Sequence, residues 1–289
     1  KRPLRHAPEV VRSLRRPRGS WVGHMCMPGV TLRCLADNDG AAQPKAFALS
    51  AHLHGNGLIQ VEEQFENLEG YSTYANTLWE GAIIAAGALD RCPHLVRGKR
   101  VLEIGAGLGL PGLCAAALGA SHVVLTDLEQ NLPLLRHCVA LNEDALPAGV
   151  VEIRALDWNW SQERLHEAAG GPVDLVLGCD ILAGVVASAK HFGPILRLVE
   201  ALCGSGACAI LTALERMGVG IQRFADVYSQ TIGCSGWRLD LLSHDLKAPR
   251  FDDGSTALLR VWRPFDLLPP RKHDDGVQAD HLARASAWS

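Results

Sequence analysis

The chain has 289 residues, of which 48% are hydrophobic and 20% charged, enough apolar content for a globular core. Its formal net charge of −3 removes any global electrostatic case for binding nucleic acid or an anionic membrane surface. No apolar run reaches the length of a membrane-spanning helix, and the nine cysteines include no Cys-x-x-Cys pair, so they read as reduced thiols of an intracellular protein.

In chain order, Lys1, Arg2, Arg5, Arg12, Arg15, Arg16 and Arg18 face a single early acid, Glu9. Two readings stand: a disordered basic tail, or an Arg-rich, acid-poor organelle transit peptide. The expected location is accordingly cytoplasmic, with an organelle as the alternative. His24, Cys26 and Cys34 lie close in sequence, and His52 and His54 would share a strand face. None has paired metal-ligand spacing, so no metal is expected. Phe47 to Phe65 alternates around Gly55-Asn56-Gly57, the pattern of a β-hairpin with a glycine-rich turn. Residues 77–89 then read as a helix carrying Leu78, Ile83, Ile84 and Leu89.

Strands and helices alternate from there. Strands are predicted over 100–104, 122–126, 150–155, 173–177 and 207–213, with helices over 110–118, 130–141 and 188–202 and one near 221–230. Two last strands fit 237–242 and 257–262 without an intervening helix, the pattern of an antiparallel hairpin at a sheet edge. The fold class is α/β, a doubly wound, Rossmann-like sheet of seven strands preceded by the N-terminal hairpin and helix. The polar segment after Pro269-Pro270 reads as a disordered tail.

The strongest signal is Val101-Leu-Glu-Ile-Gly-Ala-Gly-Leu-Gly-Leu-Pro-Gly112. A strand enters the acid Glu103, and Gly105, Gly107 and Gly109 follow at alternate positions. Glycine permits positive φ and removes the Cβ that would keep a ligand off the backbone. Leu110 stands where a dinucleotide fingerprint has its third glycine, so a nicotinamide-dependent oxidoreductase is disfavoured. Glu103 would repel phosphate and attract a cation. Asp127 ends the next strand roughly 20 residues on, where an acid accepts hydrogen bonds from ribose hydroxyls. A ligand with a ribose, no phosphate and a positive charge fits S-adenosylmethionine.

With these residues in place the chain resembles a class I, seven-stranded S-adenosylmethionine-dependent methyltransferase. More closely, it resembles the protein-lysine methyltransferases of the methyltransferase family 16 type. The carriers are Thr77-Leu-Trp-Glu-Gly81, Glu103 to Gly109, Thr126-Asp127, Leu132-Pro-Leu-Leu-Arg136 with Asn142, Leu156-Asp-Trp158 and Asp174 to Asp180. The resemblance spans residues 47–264 and implies three parts: a basic segment, 1–44; a methyltransferase domain, 45–266, divided at residue 90 into hairpin-plus-helix and core; and a tail, 267–289. It implies that Asp127 binds the ribose, Gly105, Gly107 and Gly109 admit the methionine moiety, and Glu103 orients loop amides or the ligand's ammonium group. Asp157 and Trp158 would contact adenine, Trp79 would cover the cofactor, and Cys179 would join the cofactor contacts. Asp180 would be the catalytic-site acid, first as an orienting acceptor for an incoming amine.

Each residue also has a purely structural use. Trp79 and Trp158 are large enough to be core, Asp157 and Asp180 suit turn or helix caps, Asn142 suits a helix end, and Asp174 suits a strand start. The family usually places an aromatic three residues after the acid, where this chain has Ala183. Tyr71, Tyr74 and Phe192 are candidates to replace that ring. The expected activity is methylation of a lysine on a protein by a monomer. The alternatives are another acceptor (a protein histidine or a small molecule) or a cofactor-binding interaction module without catalysis.

Overall fold

The computed structural model describes residues 33–34, 44–63, 74–181, 192–202, 208–214, 238–241 and 256–262. It opens with a small antiparallel sheet of β1 (Arg33–Cys34), β2 (Lys45–Ala48) and β3 (Leu58–Val61), followed by α1 (Glu80–Arg91). The central sheet and its helices come next: β4 (Arg100–Ile104), α2 (Leu110–Ala117), β5 (His122–Asp127), α3 (Leu132–Ala140), β6 (Val151–Ala155), α4 (Gln162–Ala169), β7 (Leu175–Cys179), α5 (Phe192–Leu202), β8 (Cys208–Leu214), β9 (Arg238–Leu241) and β10 (Thr256–Trp262).

Across the sheet the order is β6-β5-β4-β7-β8-β10-β9. The first five strands are parallel, whereas β10 runs antiparallel to both β8 and β9. Val101, Leu102, Ile104, Val123, Val124, Leu125, Leu175, Val176 and Leu177 are all buried, as continuous apolar runs require in a sheet covered on both faces. Chain order reverses between β4 and β7, so the crevice at their carboxyl ends is the topological switch point where such sheets take ligands.

The expected α/β alternation is present. The hairpin differs from its expectation. Its first strand is β2, and residues 49–57 form a long connection in place of a continued strand through His54. The reason is competition from the core. Asp90 on α1 is fully buried, and its Oδ1 accepts from the N–H groups of Ser50 and Ala51, both at 2.9 Å. Leu53 N–H donates to Ala117 O, and the Arg97 guanidinium donates to Ala51 O. These bonds take the backbone groups a strand would have paired, so His52 and His54 do not share a strand face.

α1 begins three residues later than predicted, because Glu63 Oε1 accepts from Leu78 N–H at 2.7 Å and Trp79 is extended. The sequence analysis missed α4, although its signals are present: Ser161 caps it by accepting from Arg164 N–H, and Gly170 ends it in the left-handed conformation. Its composition is mostly polar, with only Leu165, Ala168 and Ala169 buried, so it has little apolar content to draw notice. β1 lies inside the segment 1–44 expected to be basic and partly disordered, beyond the Arg-rich first 18 residues. Cys92 is disulfide-bonded, so the expectation of uniformly reduced thiols fails there; Cys114, Cys138, Cys179 and Cys208 keep their thiols. Among the described residues no helix is long and apolar enough to cross a membrane.

Asn142 has a larger role than ending a helix. Its Oδ1 accepts from Gln60 N–H, and its Nδ2 donates to Gln60 O and Cys138 O, each at 2.7 Å. The carboxamide thus pairs with β3 as another strand would, fastening the hairpin to the end of α3. Replacing Asn142 with Ala strands the Gln60 backbone groups and is expected to cost about 2–3 kcal/mol in urea unfolding. Unchanged stability would show that the hairpin docks through its apolar face alone.

Candidate active site

The loop from β4 into α2 is built from left-handed glycines: Gly105, Gly107 and Gly109 have φ of 60°, 54° and 77°. Their surroundings differ. A Cβ on Gly105 would lie 2.9 Å from Ile181 Cγ2 and 3.2 Å from Trp158 Cζ2, so this glycine forms a ledge bordered by those two side chains. A Cβ on Gly107 would lie 3.2 Å from Ala75 O, which brings the segment before α1 against the loop. Gly109 faces the interior, with Leu135 Cδ1 2.8 Å and Leu125 Cδ1 3.2 Å from its Cβ position. Its glycine identity follows from packing and from its left-handed N-cap position on α2.

Asp127 ends β5 and joins two loops. Its Oδ2 accepts from Gly107 N–H, and its Oδ1 accepts from Leu128 N–H and Asn131 Nδ2, all at 2.7 Å. Three of the carboxylate's roughly four lone-pair positions are therefore taken within the protein. A diol arriving here would use the remaining position and share one with an amide. Leu128, beside it, is 37% exposed, an apolar side chain left open at a polar edge.

On the β6 side, Asp157 Oδ1 accepts from Asn159 N–H at 2.9 Å and from its Nδ2 at 3.0 Å, the turn-capping use foreseen for it. Trp158 is half-buried with its ring edge at Gly105. On the β7 side, Cys179 is half-buried, and burial followed by the nearby Glu103 carboxyl pushes its thiol well above the ordinary range. Asp180 follows with φ 56°, alone in the left-handed region among the described non-glycine residues. Its N–H donates to Thr212 Oγ1 at 3.0 Å.

The structure thus brings Gly105, Gly107, Asp127, Trp158, Cys179 and Asp180 to one sheet edge. Trp79 ties back the segment whose Ala75 lies against Gly107. Its Nε1 donates to Tyr74 O at 2.7 Å, and its ring stacks on Tyr74 with centroids 6.2 Å apart. Tyr74 is 73% exposed, placing an aromatic pair at the rim. Asp174 pairs with the start of β4 through Arg100 N–H, a strand-start role away from the loop. Tyr71 and Ala183 lie outside the described residues, as does the helix predicted near 221–230. Among the described residues no group of His, Cys, Asp and Glu clusters as a metal site. Sequence reasoning missed Ile181, Leu128 and Thr212. Only Leu128, apolar directly after a strand-ending acid, carried a sequence signal.

Glu103 points inward. It is 1% exposed, and its Oε2 accepts from Gly112 N–H at 2.8 Å. A Cβ on Gly112 would sit 2.6 Å from that oxygen, so this glycine makes room for the carboxyl group. Burial pushes the Glu103 pKa up to about 8; the Gly112 N–H opposes the shift and the Asp127 charge adds to it. The folded state therefore holds this proton more tightly than the unfolded chain. Stability from the group is full below the usual carboxylate pKa and is lost as pH rises toward 8. Glu103→Gln keeps an oxygen acceptor and removes the titration. Its unfolding free energy should gain on wild type steadily from about pH 5 to pH 8. Parallel stability–pH curves for the two proteins would refute the shift.

With the geometry in place, the chain can be set beside known proteins. A family described as lysine methyltransferase matches residues 59–230. The chain is 33% identical over 145 residues to the protein N-lysine methyltransferase METTL21A of Danio rerio, covering 49% of this chain and 62% of that one. It is 29% identical over 150 residues to EEF1A lysine methyltransferase 3 of Xenopus tropicalis, covering 52% and 62%. The match thus spans under two thirds of either relative. Among solved structures, one classed as a SAM-dependent methyltransferase from Streptococcus mutans superposes with a TM-score of 0.52 at 14% identity, covering 78% of this chain and 57% of that chain. That likeness concerns the fold. The family match extends from β3 through the glycine loop, Asp127 and Asp180, and on it the chain belongs to the lysine methyltransferase family.

Proposed function

We propose that this protein transfers a methyl group from S-adenosylmethionine to a lysine side chain of a protein substrate. The observation that carries the reading is the side-by-side order of β5, β4 and β7, which sets Asp127, the Gly105 ledge and the strained Asp180 along one edge. The residues fit the cofactor. Gly105 and Gly107 lack the Cβ that would collide with Ile181, Trp158 and Ala75, so the loop's main chain lies close under those neighbours. Asp127 offers a carboxylate to a ribose, and exposed Leu128 and half-buried Trp158 offer apolar surface to a purine.

When bound, S-adenosylmethionine supplies an electrophilic methyl group on a sulfonium. The chain's own residues do the rest. Asp127 fixes the sugar, the glycine loop with its bordering Ile181 and Trp158 receives the methionine portion, and Trp79 with Tyr74 forms the outer wall. Asp180 accepts a hydrogen bond from the incoming amine and aims its lone pair. The amine must arrive neutral although its ordinary pKa is about 10.4, and removal from water lowers that value. Alignment in a dry site accounts for most of the acceleration, since no strong acid–base step is needed. Asp180 as general base is the weaker role, because accepting a full proton is not required of it.

The relatives' printed names support a protein-lysine acceptor, one of them EEF1A. The same reading takes residues 45–266 as the catalytic domain and the sheet as the complete seven-stranded one, with β10 and β9 as its antiparallel edge; the β8–β10 and β10–β9 pairings support it. The chain is taken to act as a monomer. Ala183, in place of the usual aromatic, favours a second reading, a module that binds the cofactor without transferring the methyl group.

Incubation with tritiated S-adenosylmethionine and a cell extract should yield labelled protein, with the added mass on lysine. Binding of S-adenosylhomocysteine without any labelled band would select the non-catalytic reading. Asp127→Ala should weaken S-adenosylhomocysteine binding by about 100-fold or more, since two hydrogen bonds to a charged group contribute roughly 1.5–3 kcal/mol each. Equal affinity would remove the ribose assignment.

A further inference from the structure

The structure assigns Thr212 and Gly81 as a positioning pair that holds Asp180 in its active-site pose. The inference rests on the reading of Asp180 as the acid that orients the substrate amine. Asp180 adopts a left-handed backbone, φ 56°, which an L-residue other than glycine enters only at a cost in strain. Such a conformation persists where the surroundings over-determine it, and here two contacts do so.

The first contact is a hydrogen bond. Thr212 lies on β8, directly across the parallel ladder from Cys179. Its side chain is completely buried, and its hydroxyl accepts from Asp180 N–H at 3.0 Å. The ladder itself ends at Cys179, so the hydroxyl continues the pairing by one residue where the backbone has already turned away. That turn directs the Asp180 side chain away from the strand's alternation.

The second contact is steric. Gly81 stands in the first turn of α1, two residues after Trp79. A Cβ at this position would overlap Thr212 Oγ1 and come within 3.1 Å of Asp180 N and 3.2 Å of Asp180 Cβ. Gly81 has no need of positive φ, and Ala is the better helix former, so close approach explains the glycine. α1 is thereby seated against the turn that carries Asp180. Trp79 at the N-cap of α1 and Asp180 just after β7 are consequently brought near one another by this close approach. Thr212 and Gly81 touch neither substrate nor cofactor in this scheme; they act through Asp180.

Thr212→Val keeps the shape and removes the hydroxyl, Thr212→Ser restores it, Gly81→Ala introduces the overlap, and Asp180→Asn removes the charge. Each is assayed for the rate of tritium transfer into extract protein at saturating S-adenosylmethionine, for the KM of that cofactor, and for S-adenosylhomocysteine affinity. Thr212→Val and Gly81→Ala should lower the saturated rate about tenfold or more while the cofactor KM and S-adenosylhomocysteine affinity stay within about twofold. Thr212→Ser should recover to within about threefold of wild type. Asp180→Asn should fall at least as far as Thr212→Val. Loss of S-adenosylhomocysteine affinity in step with rate, or no recovery in Thr212→Ser, would make Thr212 merely structural and overturn the assignment. A wild-type rate in Thr212→Val with a depressed rate in Asp180→Asn would overturn it too, leaving the role of Asp180 standing. A wild-type rate in Asp180→Asn would remove the underlying reading itself.

Discussion

The Asp127 carboxylate is the constraint on which the ligand edge depends. It binds the amide of Gly107 in one loop and the amide of Leu128 and side chain of Asn131 in the next. A loop with three left-handed glycines is entropically expensive to order, and these bonds fix it without any ligand. The carboxylate is only 8% exposed, so its hydrogen bonds act in a medium where they are stronger than in water. The shape of this edge is thus set by the protein's own hydrogen bonds.

The N-terminal elements reach that edge through buried polar clamps more than through apolar contact alone. Asp90 holds residues 50 and 51, Asn142 holds Gln60, and Glu63 holds Leu78 while pairing with Lys45. Each clamp satisfies backbone groups that an irregular connection leaves without a ladder. Together they bring Ala75 against Gly107 and Gly81 against Thr212, so the hairpin contributes to the site without entering it. Removing either partner of such a clamp leaves a buried polar group without its hydrogen bond, which makes these positions sensitive well away from the chemistry.

Much of this architecture was legible in the sequence where one physical signal dominated. The parallel strands were readable because burial on both faces demands unbroken apolar runs, and the glycine loop because positive φ at three alternate positions admits few other residues. The expectation about the hairpin failed because alternation in residues 48–54 is a local signal, and it was overridden by Asp90, some 40 residues away. α4 was missed because its caps were present but its apolar stripe was short. Thr212 could not be read at all, and Gly81, although part of the Thr77–Gly81 motif, carried no sign of its packing role. A buried threonine in a strand and a glycine in a helix each look like ordinary packing until the crossing of α1 over the sheet sets them together. Gly109 sits in the motif beside Gly105 yet faces leucines, since alternate residues of a turning loop face different surroundings.

The inward-facing Glu103 has a consequence for recognition. With a pKa near 8 it is mostly uncharged at neutrality, so the edge carries one negative charge fewer than the sequence suggests. A cationic guest settling nearby would favour loss of that proton, and its arrival would be coupled to proton release into solvent.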